Sequence, residues 1–387
     1  MTAGGNRARI LFVSTRCEFR GSVERYIYDA ARALGNNGFG VDALFTGSES
    51  GCENYSKIFG RIHGRGDLEK LRSCEYDLAF IHKIDDPALL RSLREKFKTA
   101  VMIHNHDYCC MRSDKRYPLS GMNCARPFNL FFCSLCAGLL DRSGGSVNCV
   151  NFAKRRALIR EVKNCDAYVV TSSFMRNELL VNGFDVSRLV KIYPVCRVAS
   201  RRTRVRKSGE TPVIVFAGRL VKNKGVKELL EALSMVRYEF KAYIVGTGPE
   251  EKRCRRLAHR LGLGGEVEFT GWHNDLESYF EKADIAVFPS VWQEPFGQVG
   301  TEANGYGLPV VGFDCGGVGE WLCHERSGLL VPRKDIRGFA DAIELLINDP
   351  GYACRLGDEG RKWVETYMSE ASYVSGFKLM LDRIHSR

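Results

Sequence analysis

The chain has 387 residues and a formal net charge of +11, with 44% of residues hydrophobic and 27% charged. That length exceeds what one hydrophobic core usually holds, so two domains of ordinary globular composition are expected. No apolar run reaches about 18 residues, and the opening MTAGGNRARILFVST runs straight into a strand, so neither a membrane helix nor a signal peptide is expected and the chain reads as cytoplasmic. The basic balance favours anionic partners: nucleotides, an acidic membrane surface such as the inner membrane face, or nucleic acid. Nucleic acid is set aside, because no strand pattern interleaves aromatic and basic residues.

In chain order, residues 9–14 (RILFVS) form a buried strand, and a loop containing Gly21 follows. Val23, Ile27, Ala30, Ala31 and Leu34 then recur at helical spacing, and residues 41–45 are the next strand. This βαβ opening predicts a parallel sheet covered by helices. Residues 77–82 are a third strand, 87–98 a helix, and 100–104 a fourth strand that ends in the polar cluster His104, Asn105, His106 and Asp107. Residues at the carboxyl ends of parallel strands point into a binding crevice. Further on, 158–164 completes a helix, 167–172 is a strand, and Ser172–Ser173 caps a helix over 174–181. The segment 197–207 (RVASRRTRVRK) holds six basic residues and no acidic one, and reads as a linker between domains. It is either a solvated hinge or a contact for an anionic acceptor or lipid headgroups.

The second domain opens with a strand over 213–216, a helix over 224–236 and a strand over 241–245. Gly246-Thr247-Gly248, a basic helix over 250–261, a strand over 267–269 and a short helix over 276–282 follow. Then come a buried strand over 285–288, a loop through Glu294, Pro295, Phe296 and Gly297, a helix over 298–306, a strand over 310–313, and a loop loosened by Gly316, Gly317 and Gly319. Helices over 339–348, 352–368 and 371–385 close the chain. Glu294 and Glu302 are eight positions apart, and on a helix that spacing puts both on one side. Two acids beside a Gly-rich loop could hold two sets of sugar hydroxyls, and the free N–H groups of a helix start suit a phosphate. The plain alternative is two solvated glutamates on a surface helix.

Fifteen cysteines are many for a cytoplasmic chain, where structural disulfides are not expected. Five of them, Cys109, Cys110, Cys124, Cys133 and Cys136, fall in one long loop. Cys133 and Cys136 form a C-x2-C pair, a common way for two thiolates to meet one metal. A loop of this length in a compact domain needs something to order it. Zinc or a 4Fe–4S cluster would do so, and unpaired buried thiols are the alternative.

Two stretches carry a family resemblance. PSVWQEPFGQVGTEANGYGLPVV resembles the donor-site signature of the retaining nucleotide-sugar glycosyltransferases of family 4, and VIVFAGRLVKNKG resembles the same family's strand followed by G-R-x4-K-G. The resemblance implies an α/β chain with the GT-B fold: two Rossmann-like parallel-sheet domains facing each other across a cleft. Residues 1–205 would be the acceptor domain with a Cys-rich loop over 105–140. Residues 206–370 would bind the nucleotide-sugar, and 371–387 would cross back to the first domain. It implies that Arg219 and Lys224 bind the donor diphosphate, that Glu294 holds the transferred sugar and Glu302 the ribose, and that Phe296, Gly297 and Gln298 offer backbone N–H groups. His104 would lie beside the reacting sugar, with Asp107 standing in for an aspartate common at the position of Asn105. The first loop often carries Gly-Gly near the donor phosphate; here the matching pair is Arg20-Gly21. A subset of the family shares the H-x-H-D-x-x-C-x-R start and trailing cysteines, which implies a metal centre at Cys110, Cys124, Cys133 and Cys136.

The expected activity is transfer of a sugar from a UDP- or GDP-linked donor to a saccharide or lipid-linked acceptor hydroxyl. The setting would be bacterial envelope polysaccharide or glycolipid assembly, with possible peripheral contact at an anionic membrane surface. No Asp-x-Asp motif appears at a donor-site strand end, so no divalent metal is expected in the transfer; Arg219 and Lys224 supply the charge. The competing readings are a GT-B relative that does not transfer, such as a nucleotide-sugar epimerase, and a metal- or redox-sensing GT-B protein.

Overall fold

The computed structural model describes residues 8–19, 21–47, 53–117, 120–138, 151–199, 206 and 209–387. The chain divides into two compact units, Met1–Val195 with Glu370–Arg387, and Cys196–Ser369. The division after Val195 falls earlier than the 205/206 boundary read from the basic segment. Most of that segment, 200–205 and 207, lies outside the described residues, as does Arg20.

The first unit is a seven-stranded sheet of β1 (Arg9–Ser14), β2 (Gly40–Phe45), β3 (Ile62–Gly64), β4 (Leu78–His82), β5 (Thr99–Met102), β6 (Ala167–Val170) and β7 (Leu189–Lys191). All pairings are parallel, in the order β3-β2-β1-β4-β5-β6-β7. The central strands are apolar throughout because both faces are covered. One face packs Ile10, Phe12, Phe80 and Met102 under the helix Ser22–Asn36, which buries Tyr26, Ile27, Ala30 and Leu34. The helix Glu370–His385 packs on this same face, setting Phe377 5.4 Å from the ring of Phe80. The other face packs Leu11, Val13 and Ile81 against Leu89, Leu90 and Leu93 of the helix Pro87–Lys96 and against Leu158, Ile159 and Val162 of Phe152–Lys163.

The second unit is a six-stranded parallel sheet of β8 (Val213–Ala217), β9 (Lys241–Val245), β10 (Val267–Gly271), β11 (Ile285–Phe288), β12 (Val310–Phe313) and β13 (Gly328–Val331), in the order β10-β9-β8-β11-β12-β13. Its core joins Ile214, Phe216, Val287 and Phe313 to Leu229, Leu230 and Leu233 of the helix Val226–Leu233 and to Phe339 and Ile343 of Ile336–Asn348. In each sheet the strand order reverses once, at β1/β4 and at β8/β11. Ligands of open α/β sheets bind at the carboxyl ends of strands beside such a reversal.

Four features differ from the expectations. The edge strands β3 and β7 are three residues each, too short for an apolar run to signal them. The strand expected to end at His104 stops at Met102, although the Ile103 N–H still donates to Val169 O at 2.9 Å. The helix expected over 224–236 begins at Val226, because Gly225 takes a left-handed φ of 72° after the tight turn Lys222–Lys224. Glu294 lies in the loop before the helix Gln298–Gly305, so helical spacing does not set its direction relative to Glu302.

Candidate functional site

The loop after β8 and the loop after β11 lock together at the reversal point of the second sheet. Gly225 is the residue that permits it: a Cβ there would lie 1.7 Å from Pro289 O. With the backbones this close, Val291 N–H donates to Asn223 O at 3.0 Å. Lys224 is thereby set beside Glu294. Its Nζ donates to Glu294 Oε1 at 2.6 Å, and the Ser290 hydroxyl donates to the same oxygen at 2.6 Å. Lys224 Nζ also lies 5.8 Å from the centre of the Phe288 ring and 5.9 Å from that of Trp292. The carboxylate is 4% exposed and its lysine partner 22%, so the negative charge is buried and is compensated mainly by this one cation. Arg219, just beyond β8, is exposed. Burial, with Glu294 nearby, pushes the Cys315 thiol far up, and it stays a neutral donor to Ser290 O.

The backbone of Glu294 is held as firmly as its side chain. Gly317 N–H donates to Glu294 O at 2.7 Å, and a Cβ on Gly316, whose φ is 63°, would sit 2.3 Å from that oxygen. The entry to the Gln298–Gly305 helix is shaped by Trp321, which is fully buried and donates its indole N–H to Phe296 O at 2.7 Å. Its ring fills the space that a Cβ on Gly300 would take, 2.0 Å away. Gly297, at φ 102°, caps the helix, whose first N–H groups, those of Gln298 and Val299, have no intrahelical acceptors. Glu302 is half-buried within the helix. Lys224, Glu294, Gly297 and Gln298 are therefore brought to one end of the β8/β11 pair. Ser290 and Trp321 were missed; the only signal for Trp321 was the pair of glycines three apart, Gly297 and Gly300, which marks a close approach.

His104 and Gly21 lie in the first unit. Gly21 caps the helix Ser22–Asn36 with extended backbone, φ 179°, a conformation open to any residue. His104 is half-buried two residues past β5, and its Nε2 lies 3.0 Å from Nδ1 of His82, the last residue of β4. Burial, and to a lesser degree the Lys83 cation, lowers the His104 imidazole to about 3, so it is neutral at physiological pH. Asp107 lies 3.7 Å from the Arg155 guanidinium.

The cysteine loop does not form the expected metal centre. Burial is the main force raising the Cys110 and Cys136 thiols, and Cys133 adds to both, so these side chains lie within electrostatic reach of one another. Among the described residues, however, no three His, Cys, Asp or Glu side chains converge to hold a metal ion. Cys124 is engaged by the Tyr117 hydroxyl, and Cys133 accepts the Asn129 N–H at 3.4 Å from within its own helix turn, Leu130–Gly138. Cys109, buried, points its thiol at Glu178 O.

Residues 199–363 match the family model for glycosyl transferases group 1. This segment contains both sequence motifs and the whole Lys224–Glu294–Ser290 cluster. Among curated relatives, the lipopolysaccharide core biosynthesis glycosyltransferase LpsE of Rhizobium meliloti is 30% identical over 184 residues, covering 48% of this chain and 54% of that protein. The GDP-mannose-dependent alpha-(1-6)-phosphatidylinositol monomannoside mannosyltransferase of Mycobacterium tuberculosis is 34% identical over 198 residues, covering 48% of this chain and 51% of that protein. The chain thus spans about half the length of the curated relatives it matches. Solved structures match over nearly its full length. The lipopolysaccharide outer core galactosyltransferase WaaB superposes with a TM-score of 0.71 at 15% identity, covering 96% of this chain and 99% of the other. HepE of Anabaena, in complex with UDP and glucose, does so with a TM-score of 0.72 at 17% identity, covering 96% and 99%. The fold is that of the GT-B glycosyltransferases. Among the described residues, no helix is long and apolar enough to cross a membrane.

Proposed function

We propose that the chain is a retaining glycosyltransferase that moves a sugar from a nucleoside diphosphate-sugar to an acceptor hydroxyl in envelope polysaccharide or glycolipid assembly. The Lys224–Glu294–Ser290 cluster at the β8/β11 reversal, inside the segment that matches the glycosyltransferase model, is the observation that carries the reading. Glu294 spends Oε1 on the chain's own lysine and serine, which leaves Oε2 for the hydroxyls of the transferred sugar. Bond cleavage places negative charge on the departing diphosphate. Lys224 and the exposed Arg219 meet that charge, and the N–H groups of Gly297 and Gln298 add fixed dipoles. Glu302 takes the ribose hydroxyls. Glu294 is already bound on one side by a cation and is assigned no covalent role. The reading is a front-face route, in which the leaving phosphate accepts the proton of the acceptor hydroxyl while the new glycosidic bond forms on the same face. The acceptor side belongs to the first unit, with His104 at the reacting sugar. The cysteines carry no step.

A peripheral membrane contact fits the net charge of +11 and the exposure of Phe131, Phe132 and Leu135 on the helix Leu130–Gly138. UDP- and GDP-sugars with saccharide and lipid-linked acceptors test the reading directly. The expected result is stoichiometric release of the nucleoside diphosphate and a product whose anomeric configuration, read by NMR coupling constants, equals the donor's. An inverted linkage would remove the retaining assignment, and donor epimerisation without transfer would remove the transferase.

A further inference from the structure

We propose that His82 is a positioning residue: it donates its Nδ1 proton to His104 Nε2, fixing His104 as the Nδ1–H tautomer that meets a ligand oxygen as a neutral hydrogen-bond donor. The two residues stand at the carboxyl ends of adjacent strands, and the facing nitrogens are 3.0 Å apart. One proton must lie between these nitrogens, and the surroundings choose whose it is. His82 is 0% exposed, stacks on Phe12 at 5.3 Å with 9° between the planes, and meets Phe80 edge-on at 4.5 Å. Its Nε2 is buried and, among the described residues, has no hydrogen-bond partner. If His104 donated, His82 would have to carry its own proton on that Nε2, leaving an unpaired N–H in an apolar pocket. If His82 donates, Nε2 holds only a lone pair. Orphaned buried N–H groups are rarer and dearer than unused acceptors.

The donor tautomer therefore belongs on His82 Nδ1, and His104 must keep its own proton on Nδ1. Burial pushes both imidazoles toward the neutral form that a single shared proton needs, His82 well below its ordinary range. The pair is fixed in place from several sides. The Tyr26 ring lies edge-on 5.2 Å from His104, and its hydroxyl is 3.2 Å from that of Tyr373 on the Glu370–His385 helix. Lys83, directly after His82, takes a left-handed φ of 34°, a strained backbone for a residue with a side chain. A histidine locked with Nδ1–H outward stabilises oxygen lone pairs and does not remove protons, so the ligand is a sugar hydroxyl or a phosphate oxygen. The identity of that oxygen rests on the transferase reading; the tautomer does not.

The test is long-range proton–nitrogen NMR on nitrogen-labelled protein, with His104 assigned by loss of its signals in His104→Gln. The expected result is a wild-type His104 protonated at Nδ1. In His82→Phe, which fills the space without a donor, His104 shifts to the Nε2–H form or to a mixture. His82→Asn, whose amide N–H reaches the Nδ1 position, restores the Nδ1–H form. In transfer assays, kcat falls about tenfold in His82→Phe with the donor KM nearly unchanged, and His82→Asn recovers it. Nε2–H on wild-type His104, or an unchanged tautomer in a folded His82→Phe, overturns the proposal. The wild-type and His82→Asn spectra decide the matter if His82→Phe does not fold. A confirmed tautomer in a protein that transfers no sugar would sink the transferase reading and leave this one standing.

Discussion

Glu294→Ala loses transfer by on the order of a thousandfold while the protein melts close to wild type. Among the described residues, the side chain hydrogen-bonds with Lys224 and Ser290. Without the carboxylate, Lys224 is left 22% exposed or more and can turn to water, so folding loses little. The proposed transfer, in contrast, loses the carboxylate proposed to hold the sugar, which also orients the lysine. Lys224→Ala behaves differently. It strands a carboxylate that is only 4% exposed, and breaking a buried pair from that side costs about 3–5 kcal/mol, so this variant loses both activity and stability. Nucleoside diphosphate release and thermal melts on the two variants check the asymmetry. Full activity in either one would remove the donor site from this place, and equal melting of the two would show the carboxylate to be solvated.

Gly225→Ala unfolds the second unit or lowers its stability by about 4 kcal/mol or more. Two costs add at this position. A left-handed φ of 72° costs roughly 1–2 kcal/mol for a residue with a Cβ. That Cβ would also lie 1.7 Å from Pro289 O, which is backbone and cannot swing aside. Trp272, Trp292, Trp321 and Trp363 all belong to the second unit, so tryptophan fluorescence during urea unfolding reports that unit alone. A midpoint within error of wild type would mean that the β8 and β11 loops do not approach as described. Gly264→Ala is the control: it lies in the same unit, its φ is not left-handed, a Cβ there would meet nothing within 4 Å, and no change in midpoint is expected.

The central strands could be read directly. Residues 9–14, 241–245, 285–288 and 310–313 are apolar runs that a sheet covered on both faces demands, and each is a strand with those bounds. Lys224 and Glu294 were legible as residue types within two local motifs. Their wiring was not. Lys224 and Glu294 were assigned to different parts of a ligand, and nothing local says that positions 70 apart bond to each other at 2.6 Å. The edge strands escaped because a half-solvated strand of three residues has no periodicity to detect. His82 looked like the end of an apolar strand, and only the register with β5 brings it to His104. Cysteine spacing overstated its case: C-x2-C places Cys133 and Cys136 on one helix, but the direction of Cys110 and Cys124 depends on turns that spacing does not encode.

The Glu370–His385 helix has a consequence for the order in which this protein is made. Tyr373, Phe377, Met380 and Ile384 lie in the same core as Ile10, Phe12 and Phe80. A ribosome delivers the first contribution well before the second, with the entire second unit between them. The second unit, continuous in the chain from Cys196 to Ser369, has all its parts before the first unit does. The sheet that starts first therefore finishes last. During translation its Phe12–Phe80 face is covered only in part, by the helix Ser22–Asn36, and the rest is a natural place for a chaperone to bind and for a stalled chain to aggregate.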